Sequence, residues 1–197
     1  MARSDPLART LTDTIHAGQV ESLKELLSEH PGLAAARIVD AKGGSGTPLH
    51  AAADWPGYFP NGPVIVGVLI GAGADPSAHI EGSWHAETPL HWAASSDDVE
   101  VARALIDGGA ALEATGASIA GGTPLDDAVG YGCWQVARLL VDPAPALSGS
   151  GTRRRSGCSR PLMRFWPHHR RHRNSSPMPS GRRATVVSGE WPSICCR

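Results

Sequence analysis

Short apolar segments with helical spacing recur along the first 142 residues, separated by loops that contain Gly and Pro. Leu7, Leu11 and Ile15 fall on one helical face, and an amphipathic segment at 20–27 follows the helix-breaking Gly18. Three further apolar segments lie at 64–74, 99–110 and 134–141, and the first two close on Gly-Ala. The pattern predicts pairs of short helices in an all-α fold.

A seven-residue phrase precedes each of these three segments. It reads Thr-Pro-Leu-His-Ala-Ala-Ala from Thr47, Thr-Pro-Leu-His-Trp-Ala-Ala from Thr88 and Thr-Pro-Leu-Asp-Asp-Ala-Val from Thr123. Thr caps a helix start with its hydroxyl, and Pro at the first helical position loses no hydrogen bond. The repeated positions are Thr47, Pro48, Leu49, His50, Thr88, Pro89, Leu90, His91, Thr123, Pro124 and Leu125.

This Thr-Pro-Leu-His-x-Ala phrase, on a period of about 33 residues, resembles the ankyrin repeat. The resemblance implies a hairpin-like loop and two antiparallel helices in each unit, with the units stacked side by side. It implies an ankyrin-repeat solenoid of about four helix-turn-helix units over residues 7–142. We number them unit 1 (7–36, degenerate), unit 2 (41–75), unit 3 (from Thr88) and unit 4 (from Thr123).

The histidine of the phrase has a structural role in the resemblance, because in the family it joins hydrogen bonds that tie neighbouring loops. We therefore interpret His50 and His91 as loop-tying residues rather than as metal ligands or catalytic bases. Asp126 stands at this position in unit 4, which puts the tie in doubt there. Trp92, one place after the histidine, is expected to pack between units.

Composition and charge change abruptly after Asp142. Residues 1–142 carry 7 Lys and Arg against 18 Asp and Glu, a net charge of -11, whereas residues 143–197 carry 11 Arg and one acid, a net charge of +10. The segment 143–197 is rich in Pro and has no sustained periodicity. We predict a disordered Arg/Pro-rich tail there, beside an ankyrin-repeat domain at 7–142.

Our hypothesis for this tail is out-of-frame translation that begins near residues 141–143. The codons of residues 190–196, read with a two-base shift, permit Val-Ala-Glu-Tyr-Leu-Leu, which matches the helical segments at 101–106 and 136–141. A genuine basic tail is the alternative. In either case unit 4 lacks a neighbour on one side, so we expect partial exposure of Trp134, Leu139 and Leu140 and association through this uncapped end. The oligomeric state stays open.

The sequence offers no chemistry of catalysis or metal binding that we can defend. The four cysteines show no disulfide framework or metal spacing, and we expect no metal site and no cofactor. The N-terminus has no apolar core of signal-peptide type, and the longest apolar run is far too short to span a membrane. We therefore expect a cytoplasmic protein that is not an enzyme.

Surface recognition remains as the function. The loop 54–62 of unit 2 carries Trp55, Tyr58 and Phe59, which either bind a ligand or cover the adjacent helices, and the longer loop 76–87 carries Trp84 and His85. The positions that contact partners in the ankyrin family, together with these loops, define a predicted set of partner-binding residues. Its members are Asp54, Trp55, Tyr58, Trp84, His85, Glu87, Ser95, Ser96 and Tyr131.

We expect these residues to bind another protein, basic or amphipathic in character, on a concave ankyrin surface. Two alternatives stay open. One is binding of nucleic acid or another anionic surface through the Arg-rich tail, which the net charge of the repeats disfavours. The other is an uncharacterised enzyme or small-ligand pocket at the loop Trp55–Phe59.

Overall fold

The computed structural model describes residues 1–142, and the expectations for residues 143–197 concern a segment outside this part. Within it, eight α-helices follow one another in four pairs, with one short hairpin before the third helix. The elements are α1 Pro6–His16, α2 Val20–Glu29, a 3-10 turn Leu33–Ala35, β1 Ile38–Val39, β2 Ser45–Gly46, α3 Pro48–Ala52, α4 Gly62–Gly71, α5 Pro89–Ser95, α6 Val99–Asp107, α7 Pro124–Tyr131 and α8 Trp134–Val141.

The repeated phrase begins a helix in all three places, with Thr at the cap and Pro in the first turn. In α3 and α5 the third helical residue is the histidine, and its Nδ1 accepts a hydrogen bond of 3.0 Å from the backbone N–H of the capping Thr47 or Thr88. The N–H groups at a helix start have no intrahelical acceptor, so this contact fixes where each helix begins.

The helices form two layers. The first helices of the units, α1, α3, α5 and α7, pack in series, and the second helices, α2, α4, α6 and α8, do the same. Leucines from both layers fill one continuous core, in which Leu49, Leu69, Leu90 and Leu105 are fully buried. The sequence-predicted all-α solenoid of four helix-turn-helix units is therefore confirmed.

A turn between α5 and α6 joins three units. The backbone N–H of Tyr58, in the loop after α3, donates to Asp98 Oδ2 at 2.5 Å, and the Tyr58 hydroxyl donates to the carbonyl of Asp97. On its other side, Asp97 Oδ1 accepts from the backbone N–H groups of Gln135 and Val136 at the start of α8. Units 2 and 4 thus both bond to the turn Asp97–Asp98 of unit 3.

The exposed end of unit 4 differs in part from the sequence expectation. Trp134 is exposed, but Leu139 and Leu140 are only 6% and 9% exposed, so the expectation of partial exposure is wrong for both leucines. The reason is that α8 packs against α6 and α7, which cover its inward face. A groove lies on the outer side of the unit, and its lining includes Trp134, Val129 and Val141.

Candidate partner-binding site

The two histidines of the phrase tie each unit to the loop of the next. His50 Nε2 lies 3.2 Å from the carbonyl oxygen of Glu87, and His91 Nε2 lies 3.4 Å from that of Gly122. Burial lowers the pKa of His50 to about 4 and also lowers the pKa of His91. Both rings are therefore neutral at pH 7 and occupied by backbone contacts, as the structural interpretation expects.

Asp126 replaces this histidine in unit 4 and keeps only half of its contacts. Its Oδ2 accepts from the backbone N–H and the hydroxyl of Thr123 at 2.6 and 2.9 Å. These hydrogen bonds lower the pKa of Asp126. Because an ionised carboxylate cannot donate to a carbonyl oxygen, Asp126 caps α7 but cannot reproduce the tie to a following loop.

Glu87, the residue before the second phrase, lies at the centre of a buried polar network and is only 7% exposed. Its Oε2 accepts a hydrogen bond of 2.9 Å from the indole Nε1 of Trp92, and its Oε1 accepts one of 2.9 Å from the backbone N–H of Ser118. His85 Nδ1 lies 3.0 Å from Oε2. Glu87 therefore connects the loop before α5, the helix α5 itself and the loop before α7.

Asp127 extends this network into unit 4 and is fully buried. Its Oδ1 lies 3.4 Å from the hydroxyl of Ser118 and from the backbone nitrogen of Ile119, whereas its Oδ2 has no hydrogen-bond partner. Burial, and then the nearby charge of Glu87, raise the pKa of Asp127 to about 6. Two carboxyl groups from neighbouring units thus share one poorly solvated site.

Apart from Ser95 and Ser96, the remaining sequence-predicted residues fall into two groups, of which the first surrounds this network. Trp84 is 81% exposed, and its ring stands edge-on to that of His85 with centroids 4.7 Å apart. Tyr131 is half exposed, and its hydroxyl lies 3.1 Å from that of Ser118. The structure therefore links Trp84, His85, Glu87 and Tyr131 through a chain of contacts.

The second group belongs to the loop after α3. Trp55 is 74% exposed, with its backbone N–H bonded to Asp54, and Tyr58 is anchored to the turn of unit 3. Phe59 instead stacks on His16 at a centroid distance of 4.2 Å. Phe59 thus fits the interpretation in which the loop covers the adjacent helices, whereas Trp55 faces solvent.

Ser95 and Ser96 are half-buried at the end of α5. Both hydroxyls donate to the carbonyl oxygen of Trp92 within their own helix, at 3.0 and 2.9 Å. Sequence reasoning also missed Ser118 and Asp127 as parts of this network. The available signal was that Asp127 stands where unit 3 has Trp92, a position that faces the neighbouring unit.

Neither a metal-ligand cluster nor a membrane-spanning helix is found in the described part of the chain. Residues 1–142 contain no group of three His, Cys, Asp or Glu side chains arranged to hold a metal ion. Among the helices of the same residues, none has both the length and the apolar character needed to cross a bilayer.

The stacked helix pairs make this chain a helical-repeat protein. Residues 58–147 match the family model of ankyrin repeats, with three copies, so this part of the chain is an ankyrin-repeat region. The match starts in the loop after α3, and the helix pairs before it complete the four units. No curated protein matches the chain. Ankyrin repeats are in general protein-protein interaction modules.

Proposed function

We propose that this protein is a non-enzymatic binding module that holds a protein partner on the inner face of units 3 and 4, by which we mean the surface around Trp84, His85 and Tyr131. The observation that carries the proposal is Trp84, whose side chain is 81% exposed at a loop tip directly beside the His85–Glu87 contact. Large exposed aromatic side chains next to desolvated polar groups are typical of the residues that dominate binding energy. Tyr131 adds a second exposed ring on the same network.

The charge of the repeats favours a basic or amphipathic partner. Residues 1–142 carry 18 acidic side chains against 7 basic ones, so a basic surface would be attracted and a polyphosphate repelled. Binding of nucleic acid would depend on the arginines of residues 143–197. Removal of these residues, followed by a DNA and RNA binding assay at low salt, separates this alternative from the proposal.

The test of the inner face is a random peptide library displayed against the full chain. We expect selected peptides to lose at least ten-fold in affinity on Trp84→Ala. The matched control is Trp134→Ala, which removes another exposed indole at the end of the array. Circular dichroism and thermal unfolding verify that both variants fold. Equal losses for the two variants, or a loss only on Trp55→Ala, would place binding elsewhere.

We further propose that the protein acts in the cytoplasm, where imaging of a fluorescently tagged full chain provides the test. A substrate turned over at the loop 54–62, and abolished by Trp55→Ala or Tyr58→Phe, would contradict the non-enzymatic assignment.

A further inference from the structure

Two acidic side chains lie close together, and the basic side chain beside them is His85, which contacts Glu87. Glu87 in unit 3 and Asp127 in unit 4 are 7% and 0% exposed, and the charge of Glu87 is close enough to raise the pKa of Asp127. Within residues 1–142, no Lys or Arg forms an ion pair with either of them. Buried carboxylates are normally paired or bound to a cation, because their desolvation is costly.

The hydrogen bonds of this pair leave one acceptor open. Both oxygens of Glu87 accept hydrogen bonds, from Ser118 and Trp92, and Asp127 Oδ1 has contacts with Ser118 and Ile119. Asp127 Oδ2 is buried and has no partner. Asp127 Oδ2 therefore lacks a hydrogen-bond donor, at a point where the carboxylate of Glu87 already adds negative charge.

The side chain of His85 is 19% exposed and is held at its Nδ1 by one contact. His85 Nδ1 lies 3.0 Å from Glu87 Oε2 but makes no hydrogen bond, and the side chain of His85 belongs to the same loop as the exposed Trp84. Displacing the ring of His85 would give up this one contact at Nδ1, which a cationic side chain would replace. The rings of Trp84 and Tyr131 flank the network, and aromatic faces attract cations.

We propose that a partner bound to the inner face inserts one Lys or Arg side chain between Glu87 and Asp127, in the place of His85. The cationic group supplies the donor that Asp127 Oδ2 lacks and neutralises the charge of the pair. The inference rests on the proposed function, since it names the side chain by which the bound protein is recognised.

The experiment uses the peptides selected on the full chain. In each peptide, every Lys is replaced by norleucine and every Arg by citrulline, one at a time, and the affinities are measured for wild type, Asp127→Asn and Asp126→Asn. Asp126→Asn is the matched control, because it removes the adjacent carboxylate, which is exposed and lies outside the pair.

We expect one basic residue of the peptide to be essential, with a loss of at least ten-fold on its replacement. Asp127→Asn should give a similar loss, and the double change should cost little more than either single change, which identifies the two as partners. Asp126→Asn should change the affinity less than two-fold. High salt should weaken wild-type binding more than binding by Asp127→Asn.

Several outcomes would overturn the inference and leave the proposed function standing. They are peptides that need Trp84 but no basic residue, equal losses on Asp126→Asn and Asp127→Asn, or additive losses in the double change. If the library yields no peptide that depends on Trp84, the proposed function fails together with the inference.

Discussion

Units 3 and 4 begin with the same phrase, yet equivalent residues have different surroundings. Leu90 is fully buried, whereas Leu125, at the same place in unit 4, is only partly buried; Ala94 is fully buried, and its counterpart Val129 is 50% exposed. The helices of unit 4 cover unit 3, and the outer side of unit 4 forms an apolar groove. The greater burial of Leu90 and Ala94 is therefore supplied by the following unit.

The polar positions show the same contrast. His91 caps its helix and also reaches the loop of the next unit, but Asp126 only caps its helix. Trp92 donates to Glu87 within unit 3, whereas Asp127 at the equivalent place adds a second negative charge. The phrase of unit 4 thus makes fewer stabilising polar contacts than the phrase of unit 3, although its Asp127 completes the acidic pair with Glu87.

The largest difference between the units should come from their core leucines. Leu90→Ala removes a fully buried side chain, so we expect a loss of about 2 to 5 kcal/mol in the free energy of unfolding. Leu125→Ala should cost clearly less, because its side chain is only partly buried. Chemical denaturation measures both, and equal losses would show that unit 4 is packed as well as unit 3.

The capping residues should differ next. His91→Ala removes a cap and an inter-unit contact, for an expected loss of about 1 to 3 kcal/mol at pH 7. Asp126→Ala removes a cap alone, for a loss of about 1 kcal/mol. Because the folded-state pKa of His91 is lowered, the stability it contributes is present above pH 6.5 and declines as the pH falls below that value. A loss on His91→Ala that is the same at pH 7 and at pH 5, measured against the wild type at each pH, would contradict this account.

Asp127 should produce the opposite dependence on pH. Its folded-state pKa is raised to about 6, so its contribution is fully present below its ordinary pKa of 3.8 and is lost as the pH rises through about 6. Asp127→Asn should therefore stabilise the array at pH 8, by on the order of 1 kcal/mol, and leave it unchanged near pH 4. Thermal unfolding across this range measures the difference, and a gain that does not vary with pH would argue against the pair.

The smallest effect on stability should come from the end of the array. Trp134 is 58% exposed, so Trp134→Ser should change the free energy of unfolding by less than about 0.5 kcal/mol. We expect it to reduce concentration-dependent self-association in sedimentation experiments, because it removes an apolar ring from the exposed groove. Association that is unaffected by this change would show that the groove is not a contact surface.

The reading-frame hypothesis for residues 143–197 is tested by the nucleotide sequence of the gene. We propose that the shifted frame encodes a further helix pair able to cover the groove of unit 4. A stop codon soon after codon 142 in that frame, or a frame without the apolar pattern of α6 and α8, would end this proposal.

The repeated phrase was sufficient to predict the helix starts, because Thr, Pro and the following apolar residues act locally, whereas the stacking of the units followed from the resemblance to the ankyrin repeat. The loop-tying role of His50 and His91 followed from the resemblance. The acidic site could not be predicted, since the contact between Glu87 and Ser118 spans 31 residues and depends on how the loop before α7 folds over unit 3. Leu139 and Leu140 were misjudged because α6 of the preceding unit and α7 of their own unit cover them.

The turn Asp97–Asp98 has a consequence for how the array unfolds. It bonds to Tyr58 on one side and to Gln135 and Val136 on the other, so unit 3 cannot open without breaking polar contacts to both neighbours. Repeat arrays lose cooperativity when the coupling between units is weak. With this turn shared by three units, units 2 to 4 should unfold in a single transition, as one cooperative block rather than as separable repeats.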